Sequence, residues 1–252
     1  MNEKQLKGRV ALVTGASRGL GKAMALALAQ SGATIALAAR DEKALAAVTA
    51  EVRQLEVEAE FFLVDVASEA SILELETKVI ERFGQVNILV NNAGMNLRKP
   101  VTEFTLQEWN LVMNTNLTSA FLLCRSFIPH MKGRGYGRII NMTSIMSHVS
   151  LPGRIAYSTS KTGLLGMTRA LALELAHENI TVVGISPGPF LTEMNLPITE
   201  NPEQNAQFLA NIPVGQWGQV QDIGALAAFI CSEGGRFITG SDILIDGGWC
   251  AR

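Results

Sequence analysis

Apolar residues recur along the chain in two alternating patterns. Short runs rich in Val, Ile, Leu and Ala are apolar at nearly every position, which indicates strands covered on both faces of a sheet. We predict these strands at Arg9–Thr14, Thr34–Ala39, Glu60–Asp65, Val86–Val90, Gly137–Met142, Thr181–Ser186 and Asp242–Ile245. Longer stretches with helical periodicity lie between them, at Gly21–Gln30, Glu42–Leu55, Glu69–Phe83, Gln107–Lys132, Ile155–His177 and Gln221–Ser232. This alternation predicts an α/β fold, a doubly wound, seven-stranded parallel sheet with helices on both faces.

One segment interrupts the alternation. Residues Pro187–Gly218 lack a clear period and contain five of the eight prolines. A long irregular stretch inside a compact fold is usually either functional or disordered. Because the chain has no internal repeat and no Pro- or Ser-rich linker, we predict a single domain over residues 1–252.

A glycine-rich segment follows the first predicted strand directly and precedes a helix. Glycines at such a turn let the backbone approach a pyrophosphate, and the unpaired N–H groups of the helix bind the anion. The spacing is Gly-x-x-x-Gly-x-Gly rather than the Gly-x-Gly-x-x-Gly of the usual fingerprint, so an ordinary strand–helix turn is the alternative. We predict a dinucleotide site here. Its predicted contacts are Gly15, Ser17, Arg18, Gly19, Leu20 and Gly21.

The end of the second strand distinguishes between the two nicotinamide nucleotides. An NAD enzyme places Asp or Glu there to accept a hydrogen bond from the ribose 2′-hydroxyl. This chain has Ala38-Ala39-Arg40, and Arg40 with Arg18 could hold a 2′-phosphate between two guanidinium groups. The alternatives are that both arginines are solvated surface residues, or that Asp41 serves NAD. We favour NADP(H).

A tyrosine and a lysine begin the helical stretch after the fifth strand. Tyr157 and Lys161 lie one turn apart on one face of that helix. A nearby ammonium lowers the pKa of a tyrosine, which can then give a proton to a carbonyl or take one from an alcohol. Since Tyr-x-x-x-Lys also arises by chance, a surface pair is the alternative.

Other polar residues are predicted to lie near this pair. Ser144 follows the fifth strand, Asn91-Asn92-Ala93-Gly94 follows the fourth, and Asn116 lies in the next helical region. Ligands of open α/β sheets bind at the carboxyl ends of the strands. We therefore expect these side chains to converge where a nicotinamide would lie.

Charge and cysteine content exclude several classes of function. The formal net charge is −2 and no run of Lys or Arg occurs, so we expect no nucleic-acid partner. The apolar stretches are too short and too broken to span a membrane, and the first residues lack the features of a secretion signal. Cys124, Cys231 and Cys250 form no Cys-x-x-Cys, and no metal-ligand spacing is present. These features predict a cytoplasmic protein without a metal.

Taken together, the motifs resemble those of the short-chain dehydrogenase/reductase family. They occur in the family's order over essentially the whole chain, from the glycine loop through the Asn-Asn-Ala-Gly turn, the serine, Tyr-x-x-x-Lys and Pro-Gly to Asp246-Gly247-Gly248. The resemblance implies a Rossmann fold and an oxidoreductase that interconverts a secondary alcohol and a ketone by hydride transfer. A nucleotide-binding protein that has lost catalysis is the alternative, although no motif position is missing.

The resemblance also implies roles for individual residues. Tyr157 would be the general acid/base, Ser144 would polarise the substrate oxygen, Lys161 would bind the ribose and lower the tyrosine pKa, and Asn116 would hold a relay water. Pro187–Gly218 would be the substrate loop. Family members are commonly tetramers, and we expect a homotetramer. The cofactor contacts implied beyond the glycine loop and Arg40 are Asp65, Val66, Asn91, Ala93, Gly94, Tyr157, Lys161, Pro187, Gly188 and Thr192.

Two subgroups compete for the substrate. The residues around Arg98, Pro187-Gly188-Pro189-Phe190 and Gln216-Trp217-Gly218 resemble gluconate 5-dehydrogenases, which implies a sugar acid. Its carboxylate would need a cation, and Ser144, Arg98, His148 and Arg154 are the candidate substrate contacts. The alternative is a 3-oxoacyl-(acyl carrier protein) reductase, which would need a basic docking patch. Gly135 and Glu178 stand where such reductases often carry basic residues, although Arg134 and Arg138 lie nearby.

Overall fold

Seven parallel strands form one sheet in the computed structural model, which describes residues 4–251 apart from the side chains of Met194 and Pro197. The strands follow the spatial order β3-β2-β1-β4-β5-β6-β7. Their bounds are β1 Val10–Thr14, β2 Thr34–Ala39, β3 Ala59–Leu63, β4 Ile88–Asn91, β5 Gly137–Met142, β6 Ile180–Pro187 and β7 Asp242–Ile245. The predicted α/β fold and parallel seven-stranded sheet are confirmed. The extent of a single domain over residues 1–252 stays a prediction, because residues 1–3 and 252 lie outside the described part.

Helices cover both faces of this sheet. In chain order they are α1 Gly19–Gln30, α2 Glu42–Arg53, α3 Glu69–Phe83, α4 Leu106–Met113, α5 Ser119–Met131, α6 Ile155–Leu175, α7 Leu196–Thr199, α8 Pro202–Leu209 and α9 Val220–Cys231. One buried cluster joins the sheet to α1, α2 and α9 through residues such as Met24, Val48 and Ile223. A second cluster joins the other face to α3, α5 and α6 through residues such as Leu75, Phe127 and Leu175. Strands with apolar side chains on both faces are therefore buried on both, as the continuous apolar runs indicated.

The predicted helix Gln107–Lys132 is two helices in the structure. Between α4 and α5, residues Asn114–Thr118 form a turn of π-helix, wider than an α-helical turn. Neither proline nor glycine interrupts the sequence at this point, so the helical period alone gave no sign of the break. The wide turn carries Asn116, whose side chain is buried. Such turns inside helices are frequent at functional sites.

The order of the strands defines where a ligand can bind. Strand β1 pairs with both β2 and β4, so the chain leaves the centre of the sheet first in one direction and then in the other. Ligands of such sheets bind in the crevice that this reversal leaves at the carboxyl ends of the strands. No helix in the described part of the chain combines the length and the apolar character that crossing a bilayer requires.

Candidate active site

A cleft of about 720 Å³ opens along the carboxyl ends of the strands. It reaches from the glycine loop and the ends of β2 and β3 to the segment after β5 and to the irregular segment after β6. Most of the residues selected from the sequence therefore meet in one place. Those that line the cleft are Gly15, Ser17, Arg18, Gly19, Leu20, Gly21, Arg40, Asp65, Val66, Ala93, Gly94, Arg98, Ser144, Arg154, Tyr157, Lys161, Pro187, Gly188 and Thr192.

The glycine loop has the geometry of an anion cradle. Gly15 and Gly19 have φ of +63° and +55°, the left-handed region that L side chains rarely adopt. A Cβ on Gly21 would lie 2.3 Å from the carbonyl oxygen of Gly15, so this position also requires glycine. Helix α1 begins at Gly19, and the preceding Arg18 supplies no side-chain acceptor to its first turn. The N-terminal N–H groups of α1 are thus left for a ligand on the cleft side.

Two residues that the sequence analysis did not select hold this loop in place. The Nδ2 of Asn92 donates to the carbonyl oxygens of Thr14 (2.8 Å) and Gly15 (3.2 Å). The Thr14 hydroxyl donates to the Val90 oxygen and accepts from the backbone N–H of Asn92 at 3.0 Å. These contacts tie the ends of β1 and β4 together. The Asn-Asn-Ala-Gly turn carried the signal, but the sequence analysis selected Asn91 as the cofactor contact, whereas Asn92 is the asparagine that holds the loop and lines the cleft.

The two arginines selected for a 2′-phosphate both line the cleft, in different surroundings. Arg18 forms an exposed ion pair with Glu193 of the irregular segment, with Nη1 and Oε2 3.2 Å apart. Arg40 is exposed, and no carboxylate within residues 4–251 pairs with it. Asp41 lies beside it, but its carboxylate accepts from the N–H of Ala44 and caps α2. The acidic residue nearest the end of β2 is thus already bound to its own helix.

Tyr157, Ser144 and Lys161 face the cleft from α6 and from the segment after β5. Burial raises the pKa of Tyr157, although the hydrogen bond with Ser144 and the positive charge of Arg154 act in the opposite direction. Lys161 lies with its Nζ 5.8 Å from the tyrosine ring centre and donates to the Met142 oxygen at 2.5 Å. Burial lowers the pKa of Lys161 to about 8. The phenol is therefore protonated near neutral pH, and here Ser144 and Arg154 are the groups that favour its ionisation.

The two asparagines selected beside Ser144 do not line the cleft. Asn116 is buried next to it, where its Oδ1 accepts from the N–H of Met95 (2.8 Å) and its Nδ2 donates to the Met95 oxygen (2.9 Å) and to Ser160 (3.0 Å). Asn91 points into the sheet, where its Nδ2 donates to Asn141 at 2.8 Å. Asn116 therefore fastens the segment after Gly94 to α6, while Asn91 fastens β4 to β5.

The three candidates for binding a substrate carboxylate separate into two groups. Arg98 and the half-buried Arg154 line the same end of the cleft as Tyr157. Burial lowers the pKa of Arg154, and the charge of Arg98 lowers it further, so the two guanidinium groups repel each other. Neither is paired with a carboxylate from the described residues. His148 lies outside the cleft lining, and its Nε2 is 2.7 Å from Oδ2 of Asp242.

The irregular segment 187–218 forms the opposite wall. It contains α7 and α8, and Ile198 and Phe208 face the cleft from it, together with Trp249 from the C-terminal turn. The Phe208 ring stacks on Trp217 with centroids 5.5 Å apart. Asp246 accepts from the N–H groups of Gly248 and Cys250, which bends the C-terminal turn toward this wall. The segment is thus ordered by aromatic packing, a feature that proline content did not indicate.

The fold and the residues of this cleft are those of a nucleotide-dependent oxidoreductase, and comparison with known proteins defines the family. A family model described as enoyl-(acyl carrier protein) reductase matches residues 15–250. The chain belongs to the short-chain dehydrogenase/reductase family, as its motifs predicted, and is an oxidoreductase.

Solved and curated relatives match the chain over nearly its full length. A structure from Agrobacterium tumefaciens, titled provisionally as a gluconate dehydrogenase, is 39% identical with a TM-score of 0.95, covering 99% of this chain and 98% of that one. A gluconate 5-dehydrogenase from Burkholderia cenocepacia in complex with NADP and tartrate is 31% identical with a TM-score of 0.94, covering 100% and 98%. The 3-oxoacyl-(acyl-carrier-protein) reductase of Haemophilus influenzae is 35% identical over 96% of this chain and 98% of its own.

Proposed function

We propose that this protein interconverts a hydroxyl and a ketone of a sugar acid with NADP(H), in the manner of a gluconate 5-dehydrogenase. The observation that carries the proposal is the pair of arginines, Arg98 and Arg154, beside Tyr157 in one cleft. Among the relatives described above, two are named for gluconate and one was obtained with NADP and tartrate, a hydroxylated dicarboxylate.

The residues at the nucleotide end of the cleft fit NADP(H). The uncapped first turn of α1 and the glycines beside it suit a pyrophosphate. Arg18 and Arg40 suit a 2′-phosphate, since guanidinium groups match phosphate geometry, and the engagement of Asp41 as a helix cap removes the usual acceptor for an NAD ribose. When bound, NADPH supplies the hydride of the reduction.

Tyr157 is the proposed proton donor to the substrate oxygen. Because burial keeps its pKa above the ordinary value, the phenol carries the proton that a developing alkoxide needs. Ser144 hydrogen-bonds with the phenol and lies beside it in the cleft, so its hydroxyl can polarise the same carbonyl. Lys161, buried beneath them, is proposed to bind the nicotinamide ribose.

Recognition of an acid follows from the surroundings of Arg98 and Arg154. Two positive charges close together in a partly buried site repel each other, and an anion bound between them offsets that repulsion. A carboxylate accepts hydrogen bonds from guanidinium groups with favourable geometry. We therefore assign the carboxylate of the substrate to this pair, with its ketone at Tyr157.

A 3-oxoacyl thioester is the second candidate. Apolar side chains, among them Met146, Leu151, Ile198 and Phe208, line the substrate end and would accept an acyl chain. The docking of an acidic carrier protein is less well supported, because Arg138 is 4% exposed and Glu178 accepts from the Gly133 N–H where a basic residue would be needed. Arg134 is exposed nearby, and its guanidinium donates to the backbone oxygens of His130 and Gly84.

Assembly and location extend the proposal. We propose a homotetramer in the cytoplasm that acts on a small molecule. The side chains of Leu173 and Phe237 are 83% and 95% exposed, which is unusual for large apolar residues and supports contacts with other subunits.

The test is oxidation of NADPH, followed by its absorbance, with 5-ketogluconate and an acetoacetyl thioester offered in parallel. We expect turnover of 5-ketogluconate with NADPH to exceed that of the thioester and that with NADH. Preference for the thioester would indicate that the protein reduces 3-oxoacyl thioesters instead. No turnover of either substrate would contradict both candidates.

The matched control is Tyr157→Phe, which removes the hydroxyl and keeps the ring. General acid catalysis contributes about 10²- to 10⁴-fold, so we expect a loss of that size in kcat with NADPH binding nearly unchanged. Turnover that persists in Tyr157→Phe would mean that another group donates the proton.

A further inference from the structure

A carboxylate outside the cleft lies directly behind Ser144. Asp242 is the first residue of the edge strand β7, and its neighbour in the sheet register is Gly184 of β6. A Cβ on Gly184 would lie 2.1 Å from Oδ1 of Asp242. Gly184 thus leaves the space through which this carboxylate crosses β6 and reaches the end of β5.

Three donors from separate segments meet at the Asp242 carboxylate. Oδ1 accepts from the hydroxyl of Thr143 at 2.6 Å, and Oδ2 accepts from the hydroxyl of Ser186 at 2.6 Å. The Nε2 of His148 is 2.7 Å from the same Oδ2. Thr143 and Ser186 are fully or almost fully buried, and the Asp242 side chain is 10% exposed. Water therefore competes little for the two hydroxyl hydrogen bonds, which strengthens them, whereas the His148 side chain is 31% exposed.

These contacts surround the segment that carries Ser144. Thr143 comes directly before the serine, and His148 ends the short helical turn that begins after it. One carboxylate thereby holds both ends of residues 143–148 and, through Ser186, the neighbouring strand β6.

We propose that Asp242 is a positioning residue that fixes Ser144 against Tyr157, with Gly184 providing its space. This inference rests on the role of Ser144 in the proposed function. Asp242 does not line the cleft, so it acts on the reaction through the serine. A carboxylate suits this position because all three neighbours can donate to it, whereas an amide would present one of them with a second donor.

The test compares Asp242→Ala, Ser144→Ala and the double variant in NADPH-dependent reduction of 5-ketogluconate. A small displacement of a catalytic group by a distant change can lower the rate by about 100-fold. We expect Asp242→Ala to lower kcat about 10- to 100-fold, while KM and the Kd for NADPH change by less than about twofold. Because Asp242 acts through Ser144, its removal should cost no more in the Ser144→Ala background.

A second variant tests the same geometry without deleting the carboxylate. Gly184→Ala places a methyl group where Oδ1 now lies, and we expect the same loss of kcat as in Asp242→Ala. In the Gly184→Ala/Asp242→Ala double variant the losses should not add. Asp222→Ala is the control, since Asp222 accepts from the N–H of Gln219 at the start of α9, away from the cleft, and should leave kcat unchanged.

The outcomes separate this inference from the proposed function. If Ser144→Ala retained full kcat, the role of the serine would be rejected, and the inference with it. A large loss in Ser144→Ala beside an unchanged kcat in Asp242→Ala would reject the inference alone. Losses that add in the Ser144→Ala/Asp242→Ala variant would likewise overturn it, because Asp242 would then act independently of the serine.

Discussion

The two ends of the cleft are built in different ways. The nucleotide end consists of one short segment, Gly15–Gly21, and the ends of neighbouring strands. Its shape is determined mainly by backbone conformation. The substrate end combines side chains far apart in the chain, such as Arg98, Arg154, Phe208 and Trp249. Features of the first end are local in sequence, whereas those of the second depend on how distant segments pack.

The same contrast holds for the two arginine pairs. Arg18 and Arg40 are exposed, and Arg18 already has a carboxylate partner in Glu193. Arg154 is half-buried and is repelled by Arg98. Solvent screens charges at the first end and screens them less at the second. A bound anion should therefore gain more from the half-buried Arg154 than from the exposed arginines.

Arg154→Ala should produce the largest effect of the substitutions that compare these pairs. Hydrogen bonds to charged groups contribute about 1.5–3 kcal/mol, so we expect KM for 5-ketogluconate to rise about 10- to 100-fold. The measurement is a steady-state titration of the keto acid at saturating NADPH. The amide of the same acid, which lacks the negative charge, is the control. An equal rise in KM for the acid and for its amide would mean that Arg154 does not bind the carboxylate.

Arg40→Ala should have a smaller effect, confined to one nucleotide. The exposed guanidinium has no carboxylate partner within the described residues, so its removal should affect only the proposed contact with a 2′-phosphate. We expect the Kd for NADPH to rise about tenfold, while that for NADH stays nearly constant. Fluorescence titration of both nucleotides is the measurement. Equal losses for the two nucleotides would remove the argument for a 2′-phosphate site.

Sequence patterns predicted the fold well where an apolar run or a helix cap marks the ends of an element. Strands β2, β5 and β7 and helix α3 begin and end at the predicted residues, because apolar runs and the cap at Ser68 define them locally. Strand β3 begins and ends earlier than predicted, since its exposed residues at the sheet edge blur the apolar pattern. The turn of π-helix at Asn114–Thr118 was missed because it changes hydrogen bonding without changing the hydrophobic period.

The site was predictable only as far as its parts follow strand ends or share one face of a helix. Ser144, Tyr157 and Lys161 were expected to meet, and all three line the cleft. His148 was expected among the substrate contacts because it flanks the predicted site, but its ring is held by Asp242, ninety-four residues away in the chain. No local pattern connects those two residues. Their contact exists because β7 lies beside β6 and Gly184 leaves a gap.

Glu193→Gln should give the smallest effect of the three substitutions, and it tests the ion pair at the exposed nucleotide end of the cleft. Glu193 holds Arg18 in an exposed ion pair, and such pairs contribute only about 0–1 kcal/mol. Without it Arg18 is free to contact a 2′-phosphate, so we expect NADPH to bind up to about fivefold more tightly and NADH to bind unchanged. Because salt screens exposed charges, the gain should shrink as ionic strength rises. Weaker binding of NADPH would instead show that Glu193 orients Arg18 for the 2′-phosphate. The ion pair between Glu193 and Arg18 would then prepare the site for the phosphate rather than compete with it.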